Sequence, residues 1–524
     1  MKQKVIATYE STPYTSRAFK ASSPLRLEAI SALFGFKGKA LGSCRVLELG
    51  CSFGANIIYA ALNAPNAEFV GIDISPVHIQ KAQKIAKDIG AKNLEFLEAD
   101  ICEIIADEKA LKSLGKFDYI IAHGLYSWVD DRVKDALFML ISKTLSQNGL
   151  AYVSFNAYPG WKQRDILRDL MLFSTSHLER DDERLSRAKS VLKALLGYAN
   201  SFDENSEQRA VFSKAFLEHA KDICELYDDF YLMHEHFELS NDPKYLSQFV
   251  THASKFDLAY LLDSSLSASF FDAMNKILLR PSLTERIKAE QYSDFLSMRC
   301  FRAAILSHSK LAKEHESALL GRLENLELKS VYYRGDFDIA HHEITAKNGS
   351  VVLNTSAKAL AQALNNFYPS FASISELADA INTEPKSICA LLLQLVFIGA
   401  VEISAKKLEF LAYEKGKTRL KESLRGYLEY FATTSKPKIS LAGYMGEILS
   451  LEPYEAHLAL LFDGKRDIKG LCDDFISYLE KNNIDLKDEQ KGLFGLRKDY
   501  DFMLNYTKQI AKTLQNSGFF EKIE

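Results

Sequence analysis

Cysteine is sparse and unpatterned in this 524-residue chain. The 7 cysteines are scattered, odd in number and never spaced C-x-x-C. That argues against a disulfide framework and for reduced thiols in a cytoplasmic setting. A basic excess is also missing: 65 Lys and Arg face 69 Asp and Glu, a formal net charge of -4. Bulk charge therefore gives no reason to expect a nucleic-acid partner or an anionic membrane surface. The N-terminus lacks the apolar core of a signal peptide. The most apolar run, residues 388–403, contains Gln394 and Gly399 and is too short to span a bilayer. It reads as a buried helix followed by a strand, so no membrane insertion is expected. Metal-ligand spacing is missing too. His234-Glu235-His236 would put its histidines at i and i+2, which share no helix face, and His341-His342-Glu343 is no better. No metal site is expected.

What is present is an ordinary globular composition, 47% hydrophobic and 26% charged, long enough for two to four domains. Its organising stretch is Arg45 to Asn56. Val46, Leu47 and Leu49 read as a buried strand, Gly50 and Gly54 bracket a tight turn, and an apolar helix follows. Strand, glycine turn and helix bring backbone N–H groups close to a ligand, and a Cβ there would hold the ligand away. The turn is not G-x-G-x-x-G, so a nicotinamide dinucleotide site is disfavoured. A second strand, 68–75, ends in Asp73, about 20 residues on, where one carboxylate can meet two ribose hydroxyls. Further strands are expected at 94–100, 117–124 and 149–155, then at 256–262 and 300–306. Helical segments separate them. The fold class is a doubly wound α/β sheet, read as parallel.

E-L-G-C-S-F-G, then G-I-D, E-A-D and F-D-Y-I-I-A-H-G together resemble the class I S-adenosylmethionine-dependent methyltransferases. The resemblance implies a Rossmann-like fold and S-adenosyl-L-methionine as cofactor. It assigns the methionine end to Glu48, Gly50 and Gly54, the ribose to Asp73, and the adenine to Asp100 with Ile101. Cys51, Asn56, Ile74, His123 and Gly124 complete the expected cofactor contacts. Ser52 departs from the family, where many members have glycine.

Two loops leave the sheet at the edge where open α/β sheets bind ligands. One is His123-Gly124-Leu125-Tyr126-Ser127-Trp128-Val129 and the other is Asn156-Ala157-Tyr158-Pro159-Gly160-Trp161. Both tryptophans of the chain lie in them. Tyr126, Trp128, Tyr158 and Trp161 are therefore the expected acceptor pocket and catalytic residues. Tyr9 and Tyr14 could line a lid. Residues 1–310 read as the catalytic domain, with a helical insertion at about 165–235 expected to mediate homodimer formation. A long helix is expected near 208–237, and Asp242-Pro243 is expected to open another. Residues 311–405 resemble a winged helix: three helices, the second begun by a capping box at Ser373 and Glu376, then a strand. Residues 406–438 read as a basic helical connector and solvated linker. Residues 439–524 read as a mainly helical domain that loosely repeats the middle one.

T-Y-E-S-T-P-Y, H-G-L-Y-S-W-V, N-A-Y-P-G-W, H-E-H-F-E-L-S-N-D-P-K-Y and A-E-Q-Y-S-D-F-L-S-M-R-C-F-R are similar to bacterial methyltransferases that carry a methyltransferase regulatory domain. That family includes protein lysine methyltransferases of rickettsial type. The resemblance implies a protein substrate methylated on lysine. Aromatic walls suit that acceptor, because they desolvate an ammonium and lower its pKa while their faces attract the cation. The [NDS]-P-P-[YF] motif of enzymes that methylate nucleobase amines is missing. A small-molecule methyltransferase and a catalytically silent cofactor-binding protein are the alternatives.

Overall fold

The computed structural model of the protein describes residues 15–226, 229–238, 240–270, 282–340, 343–347, 352–353, 357–484, 486–488, 493–494 and 499–523. Tyr9, Tyr14, His341 and His342, and the side chain of His234, lie outside what is described.

Seven strands form one sheet. They are β1 Arg45–Leu49, β2 Glu68–Asp73, β3 Leu94–Glu98, β4 Phe117–Ala122, β5 Leu145–Asn156, β6 Leu258–Asp263 and β7 Phe301–His308. Their spatial order is β3-β2-β1-β4-β5-β7-β6. Neighbours from β3 to β5 are parallel, whereas β7 is antiparallel to both β5 and β6. The sheet is thus mixed rather than all parallel. The cause is the path between β6 and β7. Asp263 pairs with Ala304 and Asn156 with Phe301, so the chain leaves β6 and enters β7 at the same edge. No crossover intervenes, and β7 must run back.

The strand residues alternate between two cores, as a period of two requires. Leu47, Leu49, Ile120, Ala122 and Val153 join Leu137, Ile141 and Phe249 on one face. Val46, Ile121 and Tyr152 join Ile30, Ile58 and Ile85 on the other. The second core continues unbroken into the C-terminal part through Leu392, Tyr427 and Phe475.

The insertion has its own small core of Leu167, Met171, Leu192, Ala220 and Ile223. Its helices are Trp161–Thr175, Asp181–Asn200, Glu207–Ala210, Lys214–Glu225 and Asp229–His236. The single helix expected near 208–237 is therefore broken. Ser213 ends the first piece and caps the next, accepting from the Phe216 N–H. Asp242-Pro243 opens no helix either. Lys244 forms a parallel bridge with Ala157, extending the edge of β5, and the helix begins at Leu246.

Strand Tyr332–Arg334 pairs antiparallel with Glu402–Ser404, across helices Lys358–Phe367, Ile374–Ala380 and Pro385–Phe397. The Ser373–Glu376 capping box is present. Strand Thr418–Leu420 pairs likewise with Phe520–Lys522 across four further helices. Both pairs place an arginine opposite a glutamate in register, Arg334 with Glu402 and Arg419 with Glu521. The stretch 406–438 is not a solvated linker. Helix Glu422–Thr433 buries Leu424, Tyr427 and Leu428, and a Cβ on Gly426 would come 2.7 Å from the Ile89 carbonyl oxygen. This helix packs mainly on helix Pro453–Leu460 and touches the catalytic domain along one side, at helix Ala55–Asn63 and Ile89, which is why its apolar stripe is buried.

Candidate active site

The turn after β1 is built by φ > 0 residues. Gly50 (φ 74), Ser52 (φ 49) and Gly54 (φ 82) are all left-handed. A serine there costs about 1–2 kcal/mol relative to an unstrained conformation, a cost that glycine would avoid. Gly54 is needed for a reason unlike the expected one. Its Cβ would lie 2.1 Å from the Phe96 ring, so the glycine admits a core aromatic rather than a ligand. Asp73 fixes the turn from β2: its Oδ2 accepts from the Ser52 N–H at 2.9 Å, and its Oδ1 accepts from the Ser75 N–H at 3.0 Å. The remaining lone pairs could accept from a ribose. Asp100 caps helix Ile101–Ala106 by accepting from the Cys102 N–H at 2.9 Å. Cys51 and Ile101 are buried beside the turn and the cap, and Ile74 is half-buried.

Glu48 is 3% exposed. Its Oε1 accepts from Asn56 Nδ2 at 2.7 Å, while its Oε2 has no partner. Burial raises its pKa to about 8. A buried carboxyl with one orphaned oxygen fits a cationic ligand group, such as the α-ammonium of a methionine moiety. Asn56 also accepts through Oδ1 from the Phe19 N–H at 2.9 Å and from Ser22 Oγ at 3.1 Å. A strap of residues 15–23 is thereby fastened over the turn. Ser16 Oγ accepts from the Ala55 N–H at 3.2 Å. The same residue bonds backbone-to-backbone with Lys438 and Ser440 of the C-terminal part.

His123 follows β4. Phe19 stacks on its ring with centroids 3.7 Å apart, Nδ1 lies 3.0 Å from Tyr152 Oη, and Phe301 stands 5.9 Å away. Enclosure lowers its pKa to about 3, so the imidazole is neutral. Gly124 is exposed, and its N–H donates to Ser154 Oγ at 2.8 Å.

The four expected acceptor aromatics separate into two kinds. Tyr126 is fully buried among Phe138, Phe155 and Phe249, and its hydroxyl meets His252 Nδ1 at 2.7 Å. It is a core residue, which corrects the expectation. Trp161 is 1% exposed and stands edge-on behind the half-buried Trp128, with centroids 6.4 Å apart. Of the four, Trp128 and Tyr158 remain partly exposed. Tyr158 Oη donates to Asp165 Oδ2 at 3.3 Å. Burial raises both pKa values, that of Tyr158 to about 12. Segment 241–245 holds both loops: the Asp242 N–H donates to the Ser127 carbonyl, and the Tyr158 N–H donates to the Lys244 carbonyl.

Residues 16, 19, 152, 245 and 301 escaped the sequence reading. Tyr152 alternates with Ser154 along β5 and Tyr245 lies in S-N-D-P-K-Y, so both carried a signal. Phe19 carried none. Among the described residues no three His, Cys, Asp or Glu side chains cluster as metal ligands, and no helix is long and apolar enough to cross a membrane. The seven thiols are unpaired.

A seven-stranded sheet in this order, with a φ > 0 turn after β1 and acids closing β2 and β3, defines a class I S-adenosylmethionine-dependent methyltransferase. Residues 41–228 match the family described as "Methyltransferase domain", and 228–308 match "Predicted methyltransferase regulatory domain". The protein belongs to the class I methyltransferases that carry this regulatory segment. The chain is 32% identical over 248 residues to the uncharacterized protein RP028 of Rickettsia prowazekii, covering 47% of this chain and 94% of that one. It is 27% identical over 540 residues to RP789 of the same organism, covering 97% and 93%. The structure of PKMT2 from Rickettsia typhi in complex with AdoHcy has the same fold, with a TM-score of 0.79 at 23% identity over 97% of this chain and 100% of that one. The regulatory segment is not a separate body here. It supplies β6 and β7 and so completes the sheet.

Proposed function

We propose that the protein transfers a methyl group from S-adenosylmethionine to lysine side chains of a protein substrate. One observation carries this reading: cations of the chain itself already lie on the ring faces around the acceptor loops. Lys162 Nζ is 5.1 Å from the Tyr158 ring centroid, and the Arg164 guanidinium is 5.1 Å from that of Trp161. The rickettsial protein of like fold is named PKMT2, which agrees with the reading.

When bound, S-adenosylmethionine supplies an electrophilic methyl on a sulfonium. Glu48 would neutralise its ammonium, Asp73 would hold the ribose, and Asp100 with Ile101 would border the adenine. The strap, through Phe19 and His123, would exclude water from the reacting end. His123 stays neutral and so adds no charge repelling a cationic acceptor. A lysine ammonium must lose a proton before it attacks. Tyr158 would take that proton on Oη while passing its own to Asp165, whose burial makes it a better acceptor.

The insertion leaves Ile166, Phe173 (80% exposed), Val211 and Leu226 in solvent. We take them as the homodimer surface, because isolated domains rarely expose such side chains together. A reducing, cytoplasmic location fits the unpaired thiols.

The test is incubation with methyl-labelled cofactor and cell lysate. Label that is protease-sensitive and found in methyl-lysine after hydrolysis is the expected result. Label confined to small molecules would replace this reading with the small-molecule one.

A further inference from the structure

The C-terminal half of helix Leu283–Ser297 is inside out. Its buried stripe is Arg286, Ala289, Glu290, Ser293 and Asp294, at the i, i+3, i+4 spacing of one face. Its outward side is polar at first, at Thr284 and Lys288, and apolar in the last turns, where Tyr292 is 54% exposed, Phe295 48% and Leu296 62%. A surface helix ordinarily shows the reverse. The inward charges are locked in place. Arg302 of β7 donates to Glu290 Oε2 at 2.9 Å and to Asp294 Oδ1 at 2.7 Å. Tyr260 Oη donates to Glu290 at 2.7 Å, and Arg286 donates to the Leu319 carbonyl at 2.5 Å. Turning the helix to hide its apolar side would carry Glu290 and Asp294 away and leave Arg302 buried and unpaired, a far larger cost. The apolar stripe is therefore a fixed part of the surface.

The stripe is also continuous with the acceptor mouth. Phe295 stacks on Tyr245 at 5.5 Å, and Tyr245 leans on Tyr158 at 5.4 Å. Beyond the helix, the exposed Met298 and Phe301 follow, and Phe301 reaches His123. We propose that this stripe binds the polypeptide on either side of the acceptor lysine, and that the enzyme prefers lysines flanked by large apolar side chains. This rests on the lysine reading above. A second copy of the chain seated here would stand across the mouth, which favours substrate as the occupant. Large exposed apolar patches rimmed by polar groups mark such surfaces.

The experiment compares two synthetic peptides, each with one lysine, flanked by Leu and Phe in one and by Ser and Gly in the other. Labelled cofactor reports kcat/KM. The full-length protein is expected to favour the apolar peptide by about tenfold or more, as burial of one or two large side chains gives. In the double variant Tyr292→Ser, Leu296→Ser the preference is expected to collapse to about twofold or less, with cofactor affinity unchanged. Both residues are exposed, so folding is not at stake, and an unchanged melting curve checks this. Equal rates on both peptides, or an undiminished preference in the variant, would overturn the proposal while leaving the lysine reading intact. Labelling of neither peptide would overturn both. Loss of dimer in the variant with the preference kept would reassign the stripe to self-association and overturn the proposal.

Discussion

Replacing Glu48 by glutamine isolates the one buried carboxyl that the cofactor should neutralise. In the free protein its pKa is about 8 because burial disfavours the anion. At pH 7 most of the molecules therefore hold the proton. A bound ammonium at the orphaned Oε2 would stabilise the anion and expel it. Cofactor binding at pH 7 should thus release most of a proton from Glu48, and much less at pH 9. Calorimetry in buffers of different ionisation enthalpy measures this directly. Glu48→Gln keeps the Asn56 hydrogen bond through its carbonyl oxygen but loses the charge. A charge-assisted hydrogen bond contributes roughly 1.5–3 kcal/mol, so affinity should fall by about 10- to 150-fold and the proton release should vanish. The free variant should not be destabilised. Because the folded pKa lies above the ordinary 4.5, ionisation of Glu48 costs stability as pH rises from 4.5 through about 8. The variant should therefore gain on the wild type as pH rises through that window, and most of all at pH 9. Buffer-independent binding heats in the wild type, with unchanged affinity in the variant, would refute the reasoning.

The two tryptophans should behave differently. Trp161→Ala should cost about 3–5 kcal/mol of stability, read by denaturant melts, whereas Trp128→Ala should largely keep its melting point and cofactor affinity and lose methyl transfer. Burial lowers the pKa values of His123 to about 3, His219 to about 4 and His236 to about 3. The unfolded chain therefore binds more protons, and stability should fall as pH drops from about 6.5 toward 3; a flat melting temperature across that window would contradict it. With His123 neutral, kcat/KM on a lysine peptide should show no inflection between pH 5 and 7. Phe173→Glu with Val211→Glu should give a monomer by sedimentation if the insertion forms the dimer; an unchanged dimer would place the interface elsewhere.

The chain's local patterns settled a great deal. Short, near-continuous apolar runs placed all seven strands within a few positions, because strands covered by packed layers on both faces must hide both sets of side chains. The places of Glu48, Asp73 and Asp100 at or just past the carboxyl ends of β1, β2 and β3 were legible, because position along a strand follows from the chain alone. What failed is what sequence spacing cannot carry. Tyr126 and Trp128 lie two residues apart in one loop, yet one ring turned into the apolar layer under Phe249 and the other did not. That choice depends on a helix more than a hundred residues away. The direction of β7 followed from where the chain re-enters the sheet, and the helix within 406–438 was buried because helix 453–460, later in the chain, packs on it. Phe19 reaches His123 only because Asn56, Ser440 and Lys438 hold the strap from both sides. The sequence by itself determined the periodicities, the turn chemistry and the acids at strand ends, since these rest on neighbours in the chain. Tertiary structure alone decided which loop aromatics are buried and which stay partly open, and which way the helix at 283–297 faces. Those outcomes rest on packing partners and on the cost of burying Arg302 without Glu290 and Asp294.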